Sequence, residues 1–176
     1  VLLASNTDNT DGGAVLITGV TIESNGGDIT LGGGDLIGSG YAEGSSFGAV
    51  GQRYRGMWVD QSILDASGVS TNGDIALRGR GWQVDGSSFT VFPAGNGDYA
   101  IGVDITVGTQ IKTGGAGTIT INGIGGKNNN VNSHGVGINF FDGPQINTVN
   151  GNITLSGTAG TGDARENAGI LMDGGA

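Results

Sequence analysis

Gly151-Asn152-Ile153-Thr154-Leu155 is the last of four copies of one short motif in this chain. Each copy of this first motif is a turn glycine and a small polar residue, followed by an aliphatic, a small and an aliphatic residue. The earlier copies are Gly27–Leu31, Gly73–Leu77 and Gly117–Ile121. Such alternation indicates a short strand with one apolar face.

A second motif lies between the copies of the first. Its copies are Gly56–Asp60, Ala100–Asp104, Gly137–Phe140 and Gly169–Asp173, with a looser copy at Ala14–Ile17. Aligned on the leading aliphatic residue, the equivalent positions are Met57, Ile101, Ile138 and Ile170. Two motifs that recur in a fixed order indicate one structural unit that is built repeatedly.

The spacing between motifs shows which part of the unit is constant. Counted between aliphatic residues, the second motif precedes the first by 14 to 18 residues, whereas the return path to the next unit takes 15 to 26 residues. The extra residues fall mostly in two insertions, 38–55 and 78–99. Insertions that leave a constant core are typical of solenoids.

We therefore predict an all-β fold, a right-handed parallel β-solenoid of about 4–5 coils with insertion loops in the first two. Residues 1–176 are expected to form one solenoid segment without α-helix. Aliphatic residues of successive first motifs should stack as neighbours: Ile29, Ile75, Ile119 and Ile153. The alternative, an antiparallel β-sandwich, gives no reason for one motif to recur in register.

Composition narrows the class of protein. The chain has 39 glycines, two prolines, no cysteine, 13% charged residues and a formal net charge of −9. The chain lacks the glycine at every third position that collagen needs, the high charge without pattern that is typical of disorder, and the basic residues that nucleic-acid binding needs. These three classes are therefore excluded. No run is long and apolar enough for a membrane span. No signal peptide is visible, and we expect a fragment of a longer repeat protein.

The stretch Ile146–Gly160 resembles the repeat of bacterial surface proteins of the filamentous-haemagglutinin-like, β-strand-repeat class. The resemblance implies a secreted β-helix that acts as an adhesin or cell-surface fibre, without catalytic residues. We accordingly expect an extracellular or cell-surface location. The expected partners are other copies or flanking repeats of the same protein, and a glycan or protein on a host or neighbouring cell. A carbohydrate-active β-helix enzyme, a polysaccharide hydrolase or lyase, is the alternative.

Acidic residues recur at the end of the second motif. Asp60, Asp104 and Asp173 should follow the same strand in successive coils, and a row of oxygen ligands suits Ca²⁺. The alternative is that these carboxylates accept backbone hydrogen bonds at turns. The tandem glycine-rich nonapeptide of calcium β-rolls is absent, so no metal or other cofactor is assigned.

The two insertions hold most of the aromatic residues and four of the seven basic residues. Aromatic side chains together with arginine are typical of binding surfaces, and both insertions should leave the coil at the same corner. The predicted ligand- or partner-binding residues are Tyr41, Arg53, Tyr54, Arg55, Arg78, Arg80, Trp82 and Phe92. The same side chains would alternatively pack on each other and on the solenoid. His134 lies in an asparagine-rich stretch and is expected to be a solvated loop residue.

Overall fold

The computed structural model describes residues 1–5, 13–34, 39–44, 54–69, 71–82, 99–127, 134–162 and 165–174. Every regular element in these ranges is a β-strand. The strands are β1 Leu2–Ser5, β2 Val15–Thr18, β3 Thr21–Glu23, β4 Ile29–Gly33, β5 Ala42–Glu43, β6 Met57–Asp60, β7 Ile63–Asp65, β8 Ile75–Arg80, β9 Val103–Ile105, β10 Gln110–Lys112, β11 Ile119–Ile124, β12 Ile138–Phe141, β13 Gln145–Asn147, β14 Ile153–Thr158 and β15 Ile170–Asp173.

The strands form three sheets that the chain visits in turn. Sheet A has the order β1-β4-β8-β11-β14, with β5 beside β8; sheet B has the order β15-β12-β9-β6-β2; and sheet C has the order β13-β10-β7-β3. Each coil runs from sheet B through sheet C to sheet A, and all strand pairs are parallel. The chain is therefore a parallel β-solenoid, and the antiparallel sandwich is excluded.

The first motif sets the register of sheet A as predicted. Ile75 pairs with both Ile29 and Ile119, and Ile119 pairs with Ile153. The aliphatic residues of the first three copies are fully buried, whereas Ile153 is 44% exposed because β14 is the last strand of its sheet. Sheet C supplies one further core column, in which Leu64 and Ile111 are fully buried and the end residues Ile22 and Ile146 are partly buried. The valines that lie near these residues in the sequence, Val20, Val69, Val107 and Val149, are exposed.

Glycines close the corner between sheets A and B. In sheet A, Gly79, Gly123 and Gly157 pair in register and face the backbone of Gly102, Gly137 and Gly169 in turn. A Cβ atom on any of the three would lie about 2 Å from a carbonyl oxygen of the facing glycine. The two glycine columns therefore let the backbone of one face approach the next without side chains between them.

This corner corrects the sequence alignment of the second motif. Met57 pairs with Val103, and Val103 pairs with Ile138, so the leading aliphatic residue of the Ala100–Asp104 copy is Val103 rather than Ile101. The physical reason is that Gly102 must occupy the glycine corner that Gly137 occupies in the next coil. As a consequence, Asp104 is equivalent to Trp58 and not to Asp60.

The opposite corner, between sheets B and C, turns through left-handed backbone. The residues directly after β2, β6, β12 and β15 all have positive φ: Gly19 (64°), Gln61 (47°), Asp142 (58°) and Gly174 (80°). Aspartate tolerates this conformation better than most residues. Asp142 therefore serves as a turn residue, and its N–H donates to the carbonyl oxygen of Asp173 in the next coil.

The described parts of the two insertions meet at one flank, as expected. β5 pairs with the end of β8, and the N–H of Trp82 donates to the carbonyl oxygen of Tyr54 over 2.9 Å. The Arg80 guanidinium lies 5.4 Å from the ring centre of Tyr41. Short parts of the insertions thus extend the sheet, while residues 45–53 and 83–98 lie outside the described residues.

An ion pair on sheet C gives a pH-dependent prediction. Burial alone would raise the pKa of Asp65, but hydrogen bonds from Ser67 and the Lys112 ammonium, 3.0 Å away, outweigh it and lower the pKa below its usual 3.8. The stabilisation is therefore complete above about pH 4 and is lost as the pH falls through the folded-state pKa. We expect Asp65→Asn to cost less than about 1 kcal/mol near pH 7 and a smaller amount near pH 2, where more of the carboxylate is protonated. Urea unfolding of both proteins at the two pH values checks this; a constant difference would contradict it.

Candidate functional site

The outer face of sheet B carries two columns of side chains that point away from the core. One column, called the tryptophan column, contains Leu16, Trp58, Asp104, Asn139 and Leu171 in register. The other pairs Thr18 with Asp60 at one end and Phe141 with Asp173 at the other. Each coil contributes one residue to each column because side chains alternate between the two faces of a strand.

A buried polar cluster lies in the middle of the tryptophan column. Arg55 Nε donates to Asp104 Oδ2 over 2.5 Å, and Asn139 Nδ2 donates to Asp104 Oδ1 over 2.8 Å. Asp104 is only 2% exposed and Asn139 only 8%. Both carboxylate oxygens of Asp104 thus have a donor, which offsets the cost of burying the charge.

The guanidinium of Arg55 also lies against two aromatic rings. Its central carbon is 5.3 Å from the ring centre of Trp58 and 4.8 Å from that of Tyr99. Both distances are within the range of cation–π interactions. Arg55 therefore joins the tryptophan column to the next column of side chains along the coil.

That next column consists of Tyr99, His134 and Glu166, which form successive parallel β-bridges. The rings of Tyr99 and His134 are stacked, with centroids 4.9 Å apart and planes inclined by 18°. His134 Nδ1 lies 2.8 Å from Glu166 Oε2. His134 is therefore packed and paired, and its interpretation as a solvated loop residue is wrong, because the bridges bring Tyr99 and Glu166 to either side of it.

Together these columns line an open cleft of about 490 Å³ on the side wall of the solenoid. Its aromatic lining residues are Trp58, Tyr99, His134 and Phe141. Four carboxylates line it, with one arginine and one histidine: Asp60, Asp104, Glu166 and Asp173, with Arg55 and His134. We call this feature the side-wall cleft, and it combines apolar walls with a few fixed polar groups, as small-ligand sites generally do.

No family model, curated protein or solved structure matches the chain. The arguments about function therefore rest on the geometry of the side-wall cleft. Within the described residues, no helix has the length and apolar character needed to cross a membrane.

The predicted binding residues fall on different faces of the solenoid. Arg55 lines the side-wall cleft, whereas Arg78 and Arg80 point outward from sheet A, and Tyr41 lies beside Arg80. Tyr54 is buried, and Trp82 lies next to it. Arg53 and Phe92 lie outside the described residues. Among the described members of this set, only Arg55 therefore lies at the cleft.

The predicted acidic ladder is not formed. Asp104 pairs with Trp58 and Asn139, while Asp60 and Asp173 belong to the other column, where they pair with Thr18 and Phe141. Asp60 accepts a hydrogen bond from the Thr106 hydroxyl, and Asp104 is occupied by Arg55 and Asn139. Within the described ranges, no group of three or more histidine or acidic side chains is placed to hold a metal ion.

Sequence reasoning missed most of the aromatic and polar lining of the cleft, namely Trp58, Tyr99, His134, Asn139, Phe141 and Glu166. The signal that could have found Trp58 and Asn139 is the glycine before each sheet B strand. Aligned on Gly56, Gly102, Gly137 and Gly169, the second residue after each glycine is Trp58, Asp104, Asn139 and Leu171. That alignment reproduces the tryptophan column.

Removing the central carboxylate should destabilise the protein. We expect Asp104→Ala to lower the free energy of unfolding by about 2 kcal/mol, because Arg55 and Asn139 both lose a charge-assisted hydrogen bond in a buried site. Asp28→Ala removes a carboxylate that accepts a backbone hydrogen bond at an exposed position and is the control. Urea unfolding followed by circular dichroism measures both. Equal losses would mean that the buried cluster adds nothing to stability.

Proposed function

We propose that the chain is a segment of an extracellular structural or adhesive β-solenoid, of the kind that bacterial surface adhesins and cell-surface fibres use. The supporting observation is the side-wall cleft, which lies on the strands of the solenoid and receives side chains from four consecutive coils. Sites built on strands hold their side chains more firmly than sites on loops. A surface protein that binds a ligand without altering it needs such a site.

The polar groups of the cleft are paired in a way that favours binding over catalysis. Glycoside hydrolysis uses one carboxylic acid to protonate the leaving group and a second carboxylate as nucleophile or base. Both oxygens of Asp104 are held by Arg55 and Asn139, and Glu166 is paired with His134. These carboxylates are engaged with the protein, which favours a non-catalytic role.

The open ends of the sheets support the proposed partners. Ile153, Ile170 and Met172 are 39–61% exposed although their counterparts in inner coils are buried. An uncovered strand edge with apolar side chains accepts another parallel strand. Further coils, from flanking repeats or from another copy, are therefore the proposed partner at this edge.

The adhesive role is tested by bead retention. Beads coated with the protein, and beads coated with the Trp58→Ala variant, are passed under flow over cultured epithelial cells and over bacterial cell layers. We expect the unmodified protein to be retained at least tenfold more than the variant on one of these surfaces. Equal retention of coated beads and of beads carrying serum albumin would overturn the adhesive role.

The second candidate is a carbohydrate-active enzyme, which is favoured by the presence of Asp104, Glu166 and Arg55 in one cleft. It is tested by incubating the protein with a panel of plant, bacterial and animal polysaccharides. New reducing ends would indicate a hydrolase, and ultraviolet absorbance of unsaturated uronate ends would indicate a lyase. We expect neither product above the level of a heat-denatured control.

A further inference from the structure

We propose that the side-wall cleft binds a neutral saccharide across Trp58, Asp104 and Asn139. This inference rests on the proposed adhesive function and names the class of ligand for it. It is carried by two unpaired polar atoms, by the charge of the cleft and by the position of Arg55.

Two buried polar atoms, on the two residues that pair with Asp104 in the sheet, have no hydrogen-bond partner among the described residues. They are the indole N–H of Trp58, a donor, and Oδ1 of Asn139, an acceptor. Such atoms are costly unless something pairs with them. Because both atoms are covered, a ligand reaches them only after the side chains above them change rotamer, which is common on binding.

The two atoms require a ligand that both donates and accepts hydrogen bonds. Trp58 and Asn139 pair with Asp104 from opposite sides, so two strand spacings, about 10 Å, separate their backbones. A chain of sugar hydroxyls supplies donors and acceptors over such a distance. An ammonium group supplies donors alone and would leave the Trp58 N–H unpaired.

The charge of the cleft disfavours an anionic ligand. The lining contains four carboxylates but only one arginine and one histidine, and the arginine, Arg55, is already paired with Asp104. A sulfated or sialylated saccharide would therefore bring negative charge to a surface that is already negative. A ligand without net charge avoids this repulsion.

Arg55 also disfavours a cationic ligand. Its guanidinium already lies over the faces of Trp58 and Tyr99, which is where a ligand cation would bind to these rings. Phe141, which is 47% exposed, offers an aromatic surface on the same side of the sheet. The apolar C–H face of a sugar ring can pack there while its hydroxyls face the polar groups.

The test measures binding of three sets of immobilised oligosaccharides by biolayer interferometry. The neutral set contains cello-, malto-, galacto- and N-acetylated chito-oligosaccharides; the anionic set contains sialyllactose and heparin fragments; the cationic set contains deacetylated chitosan fragments. We expect at least one neutral ligand to bind. Trp58→Ala should weaken that binding at least tenfold, and Phe141→Ala should weaken it at least fivefold.

Leu16→Ala is the matched control, because Leu16 belongs to the tryptophan column but does not line the cleft. It should leave binding unchanged, and circular dichroism confirms that each variant is folded. If Trp58→Ala does not fold, Phe141→Ala, at an exposed position, decides the result. Binding confined to anionic or cationic ligands, or neutral binding that neither variant weakens, would overturn the proposal.

The outcomes also separate this proposal from the adhesive function. Beads that adhere to cells, combined with no neutral saccharide binding, would overturn the saccharide proposal and leave adhesion standing. Saccharide binding that needs Trp58, combined with no bead retention, would support the ligand class and overturn the adhesive role on the cells used.

Discussion

Ile119→Asp is expected to unfold the protein. Ile119 is fully buried between Ile75 and Ile153, in a column that contains no polar partner for a carboxylate. An unpaired buried charge of this kind costs about 5 kcal/mol or more, which is comparable with the whole stability of an ordinary domain. Loss of the strand signal in far-ultraviolet circular dichroism at 25 °C measures the effect.

The neighbouring residue provides the control. Thr120 lies on the outer face of the same strand, where it is partly exposed, so Thr120→Asp places a charge in contact with water. We expect this variant to fold with a change of less than about 1 kcal/mol. If both variants lost the strand signal equally, the assignment of inner and outer faces in β11 would be wrong.

Gly123→Ala should have the second-largest effect. Gly123 pairs with Gly79 and Gly157, and a Cβ atom there would lie 2.0 Å from the carbonyl oxygen of Gly137 and 2.5 Å from its carbon. Backbone atoms cannot rotate away as a side chain can, so the corner must open. The expected loss is about 3 kcal/mol, the upper end for overpacking, measured as a lower urea midpoint.

Gly27→Ala is its matched control, because the nearest heavy atom to a Cβ atom at Gly27 is 3.5 Å away. That distance is an ordinary van der Waals contact. The variant also restricts the unfolded chain, so we expect stability to stay within about 1 kcal/mol of the original. Equal destabilisation by both alanines would mean that the glycine columns do not close the corner.

The architecture could be predicted from the sequence because one strand of each coil repeats the same pattern of glycine, polar and aliphatic residues. The first motif places Ile29, Ile75 and Ile119 on one face, and a parallel stack is the arrangement that buries all of them. Hydrophobic alternation and turn glycines are local signals, and they need no knowledge of distant residues.

The register of sheet B could not be predicted in the same way, because two signals disagreed. The recurring aspartates favoured the alignment of Asp60 with Asp104, whereas the corner glycines require Asp104 to match Trp58. The glycines determine the register because a misplaced side chain would overlap the backbone, while an outward aspartate fits at either position. A steric constraint inside the coil therefore outweighs a polar pattern on its surface.

The column of Tyr99, His134 and Glu166 was missed for the same reason. Each of these residues lies three positions before a corner glycine, namely Gly102, Gly137 and Gly169, so alignment on the glycines would have placed them in one column. The parallel bridges between them show that column directly. Arg55 was predicted because it is an arginine in an aromatic-rich insertion, but its partner Asp104 was assigned to the wrong column.

The side-wall cleft and the glycine corner differ in how well they tolerate the gain or loss of a coil. Any coil with the two glycines can follow any other, so a duplication or deletion of one coil would change the length of the body by about 4.8 Å and preserve the fold. The cleft instead depends on the order of four particular coils. A coil inserted between β6 and β9 would separate Arg55 from Asp104. Recombination between repeats therefore preserves the scaffold at almost any position. It preserves the binding site only when it occurs outside the segment from Arg55 to Asp173.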